Sequence, residues 1–320
     1  MKRKKVLGIT AAIVTTGTVI ALGSIGNYFY NLALNPTTSK AKVFGTPSKE
    51  SDDEKEKQKK YGKYIYWLLN DSKCKNIFIN SFDKLKLHGY LIKNNFHSNK
   101  WVILVHGYTC KGLSMSYYAK VYNDYGYNII VPDLRGHGDS EGNYIGMGWH
   151  DRLDILSWIN YIIKDNPNSE IILHGVSMGA ATVTMASGEK LPTNIKAIVA
   201  DCGYTSVLDQ FGCKLKDLFS LPKFPILNLS SLVSRIRAGY SLRQASSIKQ
   251  VKKSKTPILF IHGDKDDFVP YHMMEELFNA AKCEKEMLTI KDAAHANCAI
   301  VDPKTYWHTV FNFTDKYLKV

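Results

Sequence analysis

The sequence predicts an α/β protein built on one doubly wound, mostly parallel sheet. Short and largely apolar runs at 101–105, 170–174 and 256–262 are typical of parallel strands that are buried on both faces. Helix-like segments at 116–125 and 149–164 lie between these runs, and strands that alternate with helices favour a parallel sheet covered on both sides. The chain is 45% hydrophobic, which is enough to bury one large core.

A leading antiparallel hairpin is predicted before the first of these strands. Residues 78–92 alternate between apolar and polar side chains around a turn at Asp83 and Lys84, as a hairpin with one exposed face does. The hairpin opens the predicted globular domain, which we assign to residues 76–320.

A glycine-flanked serine follows the run 170–174. Residues 175–179 read Gly-Val-Ser-Met-Gly and precede a helix-like segment at 180–186. The pattern G-x-S-x-G between a strand and a helix is typical of a nucleophile elbow, a sharp turn that exposes a serine hydroxyl. Such strained backbone leaves little room for side chains on either flank, which explains the two glycines. The sequence therefore predicts Ser177 as a nucleophile.

The strand 101–105 ends in the loop 106–109, which reads His-Gly-Tyr-Thr. Together with the elbow, this loop resembles the α/β-hydrolase superfamily, and the resemblance covers about residues 76–320. It implies an oxyanion hole made by two backbone N–H groups, one from this loop and one from the residue after the nucleophile. These donors correspond to Tyr108 and Met178. An ordinary strand-to-loop turn is the alternative interpretation of the loop.

The acid of the superfamily's triad lies just after a late strand, in a pattern similar to H-G-x-x-D-x-x-V-P. Residues 262–270 match that pattern, so the resemblance implies that Asp266 is the acid. Asp264 and Asp267 are the nearby alternatives, with turn capping as their other role. Asp201, at the end of an earlier predicted strand, is a more distant alternative.

Three histidines follow Asp266 in the chain: His272, His295 and His308. His295 lies in a loop after the predicted strand 286–290, where the superfamily places its histidine, so the resemblance implies that it is the general base. We expect a surface role for His272 and a half-buried structural role for His308. The chain order Ser, Asp, His agrees with the superfamily.

No other catalytic chemistry has a motif in this chain. The elbow carries serine rather than a carboxylate or a cysteine, which excludes chemistry similar to dehalogenases, epoxide hydrolases and dienelactone hydrolases. The sequence contains no H-E-x-x-H or C-x-x-C and no dinucleotide or P-loop motif after a strand, so we expect neither metal nor cofactor. The glycine-rich segment 131–142 resembles a loop of the superfamily in which Asp133 and Arg135 would brace the site.

The segment 204–255 is far longer than the few residues that a connection between a strand and a helix needs. It contains helix-like stretches at 207–219 and 232–240. Helices inserted here cap the active site in many relatives, so the resemblance implies a helical lid with an apolar face over an acyl pocket. Packing of the lid onto the sheet is the alternative role for the same side chains. The predicted pocket residues are Leu215, Leu218, Phe219 and Phe224.

Residues 1–34 predict a cytoplasmic tip and a membrane anchor. The basic residues in 1–5 precede a long uncharged run, of which 6–26 is largely apolar. About 20 such residues span a bilayer, and a basic tip favours the cytoplasmic side. This predicts a single-pass transmembrane helix with an extracytoplasmic domain. A cleaved signal peptide with a small-residue site near 21–23 is the alternative, and it predicts a secreted domain.

The aromatic residues 28–30 would then lie at the membrane interface. Residues 35–75 include the densely charged segment 51–60 and predict a solvated stalk or linker. The predicted order is thus tip and anchor, linker, and a hydrolase domain at 76–320 with its lid.

The formal net charge of the chain is +13. A basic surface favours attraction to anionic lipid headgroups or to an anionic cell wall. Nucleic-acid binding is not predicted, because the chain has no recognition motif. The six cysteines show no framework spacing, so the sequence pairs none of them.

These observations predict a membrane-anchored serine hydrolase, similar to carboxylesterases and lipases, that acts on small or lipid-like acyl esters. The resemblance is closest to the serine-aminopeptidase-like and monoglyceride-lipase-like branch, so a peptidase or an acyltransferase with the same triad is the second hypothesis. A peptidase that takes free amino termini needs acids in its lid, and residues 206–250 contain only Asp209 and Asp217. A non-catalytic scaffold is the third hypothesis, which the three filled triad positions disfavour.

Overall fold

The computed structural model describes residues 22–44, 61–94 and 98–319. Eight strands form one sheet in the order β1-β2-β4-β3-β5-β6-β7-β8. Strand β2 pairs antiparallel with β1 and β4, and all other neighbours are parallel. The strands are β1 (Lys75–Asn80), β2 (Lys86–Ile92), β3 (Lys100–Val105), β4 (Asn128–Pro132), β5 (Glu170–Val176), β6 (Ile195–Asp201), β7 (Ile258–Gly263) and β8 (Lys285–Ile290).

Helices lie on both faces of this sheet and before its first strand. Helix α3 continues into a π-helical turn at Trp67–Asp71, and a 3-10 turn at Gly112–Met115 leads into α4. The helices are α1 (22–34), α2 (Ala41–Phe44), α3 (61–66), α4 (Ser116–Asp124), α5 (Asp151–Asp165), α6 (Met178–Ala186), α7 (Val207–Phe219), α8 (Ile226–Arg237), α9 (Ser247–Val251), α10 (His272–Ala280), α11 (Cys298–Val301) and α12 (Pro303–Asp315).

Strand β3 illustrates why the sheet is buried on both faces. Trp101, Ile103 and Val105 point into one apolar cluster, which includes α5 and α6. Val102 and Leu104 point into a second cluster on the opposite face, with α4 and α12. Successive side chains of a strand alternate between faces, so an unbroken apolar run fills two cores at once. The predicted mostly parallel, doubly wound sheet is confirmed.

Three helices occupy the predicted lid segment between β6 and β7: α7, α8 and α9. Helix α7 begins after Ser206, whose hydroxyl accepts a hydrogen bond from the backbone N–H of Asp209, as helix-capping serines do. It ends at Ser220, which adopts a left-handed conformation. The N-terminal cap at Ser206 and the left-handed Ser220 thus determine where the first lid helix begins and ends.

The fold prediction was wrong in one respect, the N-terminal transmembrane helix. Among the described residues, no helix is both long enough and apolar enough to cross a membrane. Residues 1–21, where most of the predicted span falls, lie outside the described residues. In the described remainder, α1 packs against the lid and the core: Tyr30, Leu32 and Leu34 are buried. Of the three aromatic residues expected at a membrane interface, Tyr30 is thus buried in a protein interior.

The predicted linker 35–75 contains the described helices α2 and α3, whereas residues 45–60 lie outside the described part. Leu68, in the π-helical turn that follows α3, is fully buried in the second apolar cluster. The location of the domain relative to a membrane stays a prediction from the sequence.

Candidate active site

Ser177 sits at the junction of β5 and α6 in a conformation that few residues adopt, with φ 57° and ψ −117°. Its two glycine neighbours are required by close backbone contacts. A Cβ at Gly175 would lie 2.2 Å from the carbonyl oxygen of Gly179, and a Cβ at Gly179 would lie 2.0 Å from that of Val105. The glycine pattern therefore serves a tight strand–turn–helix elbow, as the sequence predicts.

The structure brings Ser177, His295 and Asp266 together. The hydroxyl of Ser177 lies 2.8 Å from Nε2 of His295, and Nδ1 of His295 lies 2.7 Å from Oδ2 of Asp266. Ser177 follows β5, Asp266 follows β7 and His295 follows β8. Because the carboxyl ends of parallel strands meet at one edge of the sheet, residues distant in sequence converge there.

Asp266 is held as an ionised acceptor. Its other carboxylate oxygen accepts hydrogen bonds from the backbone N–H groups of Phe268, at 2.9 Å, and Val269, at 2.8 Å. Burial alone would raise the pKa of this carboxyl, but hydrogen bonds from His262 and His295 outweigh it and hold the pKa well below its ordinary value. Since an ionised carboxylate only accepts, Nδ1 of His295 carries the proton, and Nε2 faces the serine as an acceptor.

The alternative acids have other partners. The buried carboxylate of Asp201 accepts a hydrogen bond from the hydroxyl of Tyr306 at 2.9 Å, and burial raises its pKa to about 6. Asp264 is exposed and accepts the backbone N–H of Asp292 at 2.7 Å. Asp267 is exposed at the surface of the same loop. Asp266 alone among these four carboxylates is bonded to His295 in the described structure.

The alternative histidines lie away from this triad. His272 is exposed at the start of α10, 3.9 Å from Glu276, as expected for a surface residue. His308 is also exposed and bonds to Asn312 one helical turn later. Its predicted half-buried position is wrong because α12 turns its neighbours Tyr306 and Trp307 toward the core instead.

Two backbone segments flank the hydroxyl of Ser177 where an oxyanion hole would lie. Met178 is the first residue of α6, and the first N–H groups of a helix have no partner within it. Gly107 lies so close that a Cβ there would be 3.4 Å from Cβ of Ser177. Tyr108 follows in the same loop, so both predicted donors belong to segments that adjoin the nucleophile.

His106 positions this loop and does not act as a second base. It is fully buried, and its Nε2 accepts a hydrogen bond from the backbone N–H of Leu134 at 3.0 Å. Burial, followed by the neighbouring His137, lowers the pKa of His106 to about 3. A neutral imidazole therefore joins the loop after β3 to the loop after β4.

Arg135 and Asp133 brace the second of these loops, as expected. The fully buried guanidinium of Arg135 donates to both carboxylate oxygens of Asp154 at 2.7 Å and also to Asp83. Asp133 accepts the backbone N–H of Gly112 at 2.6 Å. The side chains of Arg135 and Asp133 thus have partners within the protein, and they hold the loop after β4, in which Leu134 donates to His106.

An apolar pocket opens beside Ser177 under the lid. Of the predicted pocket residues, Leu215, Leu218 and Phe219 line it. Phe224 does not, since it is 74% exposed in the turn between α7 and α8. The prediction for Phe224 is wrong because α7 ends at Ser220, after which the chain carries this side chain outward.

The sequence analysis missed one wall of this pocket, which comes from the N-terminus. Helix α1 and residues near it line the cavity together with the lid. A usable signal was the pair Asn27 and Asn31, one helical turn apart in an otherwise apolar run, because polar side chains on one helix face indicate a protein partner there. The lining residues from this segment are Phe29, Tyr30, Leu32, Ala33, Leu34 and Val43.

A second groove adjoins Ser177 on the side of His295. Its lining is mostly apolar but includes more polar groups than that of the apolar pocket. Ser177 thus lies between the apolar pocket and a groove of mixed polarity. Residues that line the groove include Thr109, Cys110, Ser114, Asn297 and Tyr61.

Two clusters in the described ranges have ligand atoms close enough to hold a metal ion: Cys202 with Asp266 and His295, and His88 with Asp133 and Asp139. Their central atoms are already engaged in hydrogen bonds. His295 bonds Asp266, and Nδ1 of His88 lies 2.7 Å from Oδ2 of Asp133. Metal binding would have to break these bonds, so we assign no metal to either cluster.

Comparison with known proteins agrees with this architecture. A family model described as alpha/beta hydrolase fold matches residues 100–227. The uncharacterized protein YqkD of Bacillus subtilis is 29% identical over 215 residues, which cover 67% of this chain and 70% of that protein. The lysophosphatidylserine lipase ABHD12 of Gallus gallus is 26% identical over 54% of this chain and 44% of the lipase. The match thus spans less than half of that lipase.

Solved structures share the fold over more of the chain. The esterase Pf2001 of Pyrococcus furiosus superposes with a TM-score of 0.62 and 26% identity, over 78% of this chain and 94% of the esterase. The acylaminoacyl peptidase of Pyrococcus horikoshii superposes with a TM-score of 0.58 over 77% of this chain and 42% of the peptidase. At 19% identity, this second likeness concerns the fold alone.

Proposed function

Because the chain belongs to the α/β-hydrolase superfamily, we propose that it is a serine hydrolase that cleaves acyl esters through an acyl-enzyme on Ser177. One observation carries this proposal: the hydroxyl of Ser177, the imidazole of His295 and the carboxylate of Asp266 form a chain of contacts at 2.8 and 2.7 Å. A hydroxyl is a weak nucleophile at neutral pH and needs such a base within bonding distance.

The proposed reaction proceeds in two stages. Nε2 of His295 takes the proton of Ser177 while Oγ bonds to the acyl carbon, and it then gives that proton to the departing alcohol. In the second stage water attacks the acyl carbon while His295 takes its proton. The bond to Oγ of Ser177 then breaks, His295 returns the proton to Oγ, and the carboxylic acid leaves. Asp266 keeps Nδ1 protonated and stabilises the imidazolium, since its depressed pKa leaves it ionised at neutral pH.

The negative charge that develops on the acyl oxygen requires donors that are already in place. The backbone N–H groups of Tyr108 and Met178 are the proposed donors. Each such donor contributes about 3 kcal/mol to the stability of the transition state in comparable sites. Because the proposed donors are backbone groups, the side chains of Tyr108 and Met178 can line the apolar pocket at the same time.

The chemistry of the two cavities supports an ester with an apolar acyl group. No acidic side chain lines the apolar pocket in the described structure. The acids of the lid segment are engaged: Asp209 accepts hydroxyl hydrogen bonds from Ser206 and Thr205, and Asp217 pairs with Lys214 at 3.0 Å. A free amino terminus would therefore lack a counter-charge there, which favours an esterase over an aminopeptidase.

The names of two relatives agree with this preference: one similar protein is a lysophosphatidylserine lipase and one similar structure is an esterase. The acylaminoacyl peptidase shares the fold alone. The groove of mixed polarity beside His295 would then receive the alcohol half of the substrate, while the apolar pocket would receive the acyl half.

The experiment that tests the proposal uses the full chain and p-nitrophenyl esters of increasing acyl length. We expect hydrolysis that Ser177→Ala abolishes, together with labelling by a fluorophosphonate probe that the same variant loses. Ser157→Ala on α5 is the matched control and should keep both. Labelling that persists in Ser177→Ala would contradict the assignment of the nucleophile.

A further inference from the structure

Helix α1 is closely packed against the lid. A Cβ at Gly26 would lie 2.9 Å from the backbone carbonyl of Leu229, so α1 and α8 cross with their backbones in contact. One turn later, the ring of Phe29 meets that of Phe219 edge to face, with centroids 5.6 Å apart. Glycine at the crossing permits this approach, as any larger residue would separate the helices.

The end of α1 is bound by donors from three separate parts of the chain. The last carbonyl groups of a helix have no partner within it. Here Nζ of Lys40 donates to the carbonyl of Leu32 at 2.8 Å, the hydroxyl of Tyr108 donates to that of Ala33 at 2.6 Å, and the backbone N–H of Ile145 donates to that of Leu34 at 2.8 Å. The last carbonyl groups of α1 therefore have partners in the rest of the protein, which hold the end of the helix in place.

A fourth contact fixes the outer face of the helix. Nη1 of Arg237, at the end of α8, donates to the side-chain carbonyls of Asn27 at 2.8 Å and Asn31 at 2.9 Å. Its guanidinium lies 4.4 Å from the ring centroid of Tyr30. The polar face of α1 thus faces α8, and its apolar face is turned into the pocket.

We propose that α1 is the wall that sets the acyl-chain length accepted by this site, with Phe29 and Ala33 as the specificity-determining positions. This inference rests on the function proposed above. Both side chains line the cavity that reaches Ser177. Ala33 is also joined through its carbonyl to Tyr108, in the loop that flanks the nucleophile. A larger side chain at Ala33 shortens the space for an acyl chain, and a smaller one at Phe29 extends it.

The size of the effect follows from the burial of methylene groups. Each buried methylene strengthens apolar binding about fourfold. Ala33→Phe should exclude several methylenes, so we expect the ratio of kcat/KM for the dodecanoyl over the acetyl p-nitrophenyl ester to fall about tenfold or more. Phe29→Ala should act in the opposite direction. It should raise the ratio of kcat/KM for the hexadecanoyl over the dodecanoyl p-nitrophenyl ester.

The matched control is Ile25→Phe, which adds an aromatic ring to the exposed face of the same helix. Both ratios should stay at their wild-type values in this control. Thermal unfolding and fluorophosphonate labelling verify that each variant is folded, and Ala33→Leu replaces Ala33→Phe if the larger ring destabilises the protein.

The outcomes separate the two proposals. If Ala33→Phe and Phe29→Ala are folded and labelled but leave both ratios unchanged, α1 does not set chain length, and the proposed function stands. If the wild type hydrolyses no ester through Ser177, the proposed function fails and this inference fails with it.

Discussion

The hydroxyl of Tyr108 donates a hydrogen bond of 2.6 Å to the backbone carbonyl of Ala33. One residue thus contributes its backbone to the loop that adjoins the nucleophile and its side chain to the N-terminal helix. The position of α1 and the shape of the loop after β3 are therefore physically connected, although the two residues are 75 positions apart.

Tyr108→Phe tests that connection. The variant keeps the ring and the backbone N–H but leaves the carbonyl of Ala33 without this donor, and a buried group that loses its partner costs about 1–3 kcal/mol. We expect a loss of about 1 kcal/mol in the free energy of unfolding and a higher KM for long-chain esters. Urea denaturation and steady-state kinetics measure the two effects. Tyr66→Phe, at an exposed position, is the control, and equal unfolding curves for both variants would refute the connection.

A pair of aspartate variants distinguishes the triad acid from its buried neighbour. Asp266→Asn should reduce kcat by about 10⁴-fold, because an amide no longer holds the imidazole in the required tautomer. Asp201→Asn should retain ester hydrolysis, since this residue bonds to Tyr306 and not to His295. Kinetics with the acetyl ester, at a pH where both variants are folded, measure the difference. The opposite order of the two activities would show that Asp201 is the acid.

The pH dependence of stability gives a separate test of Asp201. Burial raises its pKa to about 6 from an ordinary value of 3.8. The folded state thus holds this proton more tightly than the unfolded chain does, and stability falls as the pH rises from about 4 to about 6. A difference of about two units between the folded and unfolded pKa values corresponds to about 3 kcal/mol of stability. This contribution is fully lost above pH 6.

Asp201→Asn removes this titration while it keeps an acceptor for Tyr306. We therefore expect the variant to gain up to about 3 kcal/mol relative to the wild type between pH 4 and pH 8. Urea denaturation of both proteins at the two pH values measures this change. A stability difference that is independent of pH would show that the carboxyl titrates normally.

The residues of the proposed triad could be predicted from the sequence because each one lies in the segment that follows a strand. Ser177 directly follows β5, and Asp266 and His295 lie in the loops after β7 and β8, at the edge where the ends of parallel strands meet. The strand pattern located these loops, and the resemblance to a known family selected Asp266 and His295 within them. Phe224 shows the limit of this approach: its apolar character was evident, but the direction of its side chain depends on where α7 ends.

The N-terminal segment was misassigned for a different physical reason. Hydropathy measures the preference of a side chain for an apolar environment, and the interior of a protein satisfies Tyr30 and Leu34 as well as a bilayer would. What distinguishes the two is the partner of the polar face, which is Arg237, and this residue is 206 positions from Asn31. The local pattern, Asn27 and Asn31 on one helix face, indicates that a protein partner exists but does not identify it as Arg237.

Arg237→Ala therefore tests whether α1 is held by this side chain. The change removes two hydrogen bonds and the contact with the ring of Tyr30, which together contribute about 1–2 kcal/mol. We expect faster hydrogen exchange of the backbone amides of residues 22–34 and little change in those of β5. Arg235→Ala, an exposed arginine on the same helix, is the matched control and should leave exchange in both segments unaltered. Equal protection of α1 in the two variants would mean that the bonds to Lys40, Tyr108 and Ile145 suffice to hold it, because these bonds remain when Arg237 is removed.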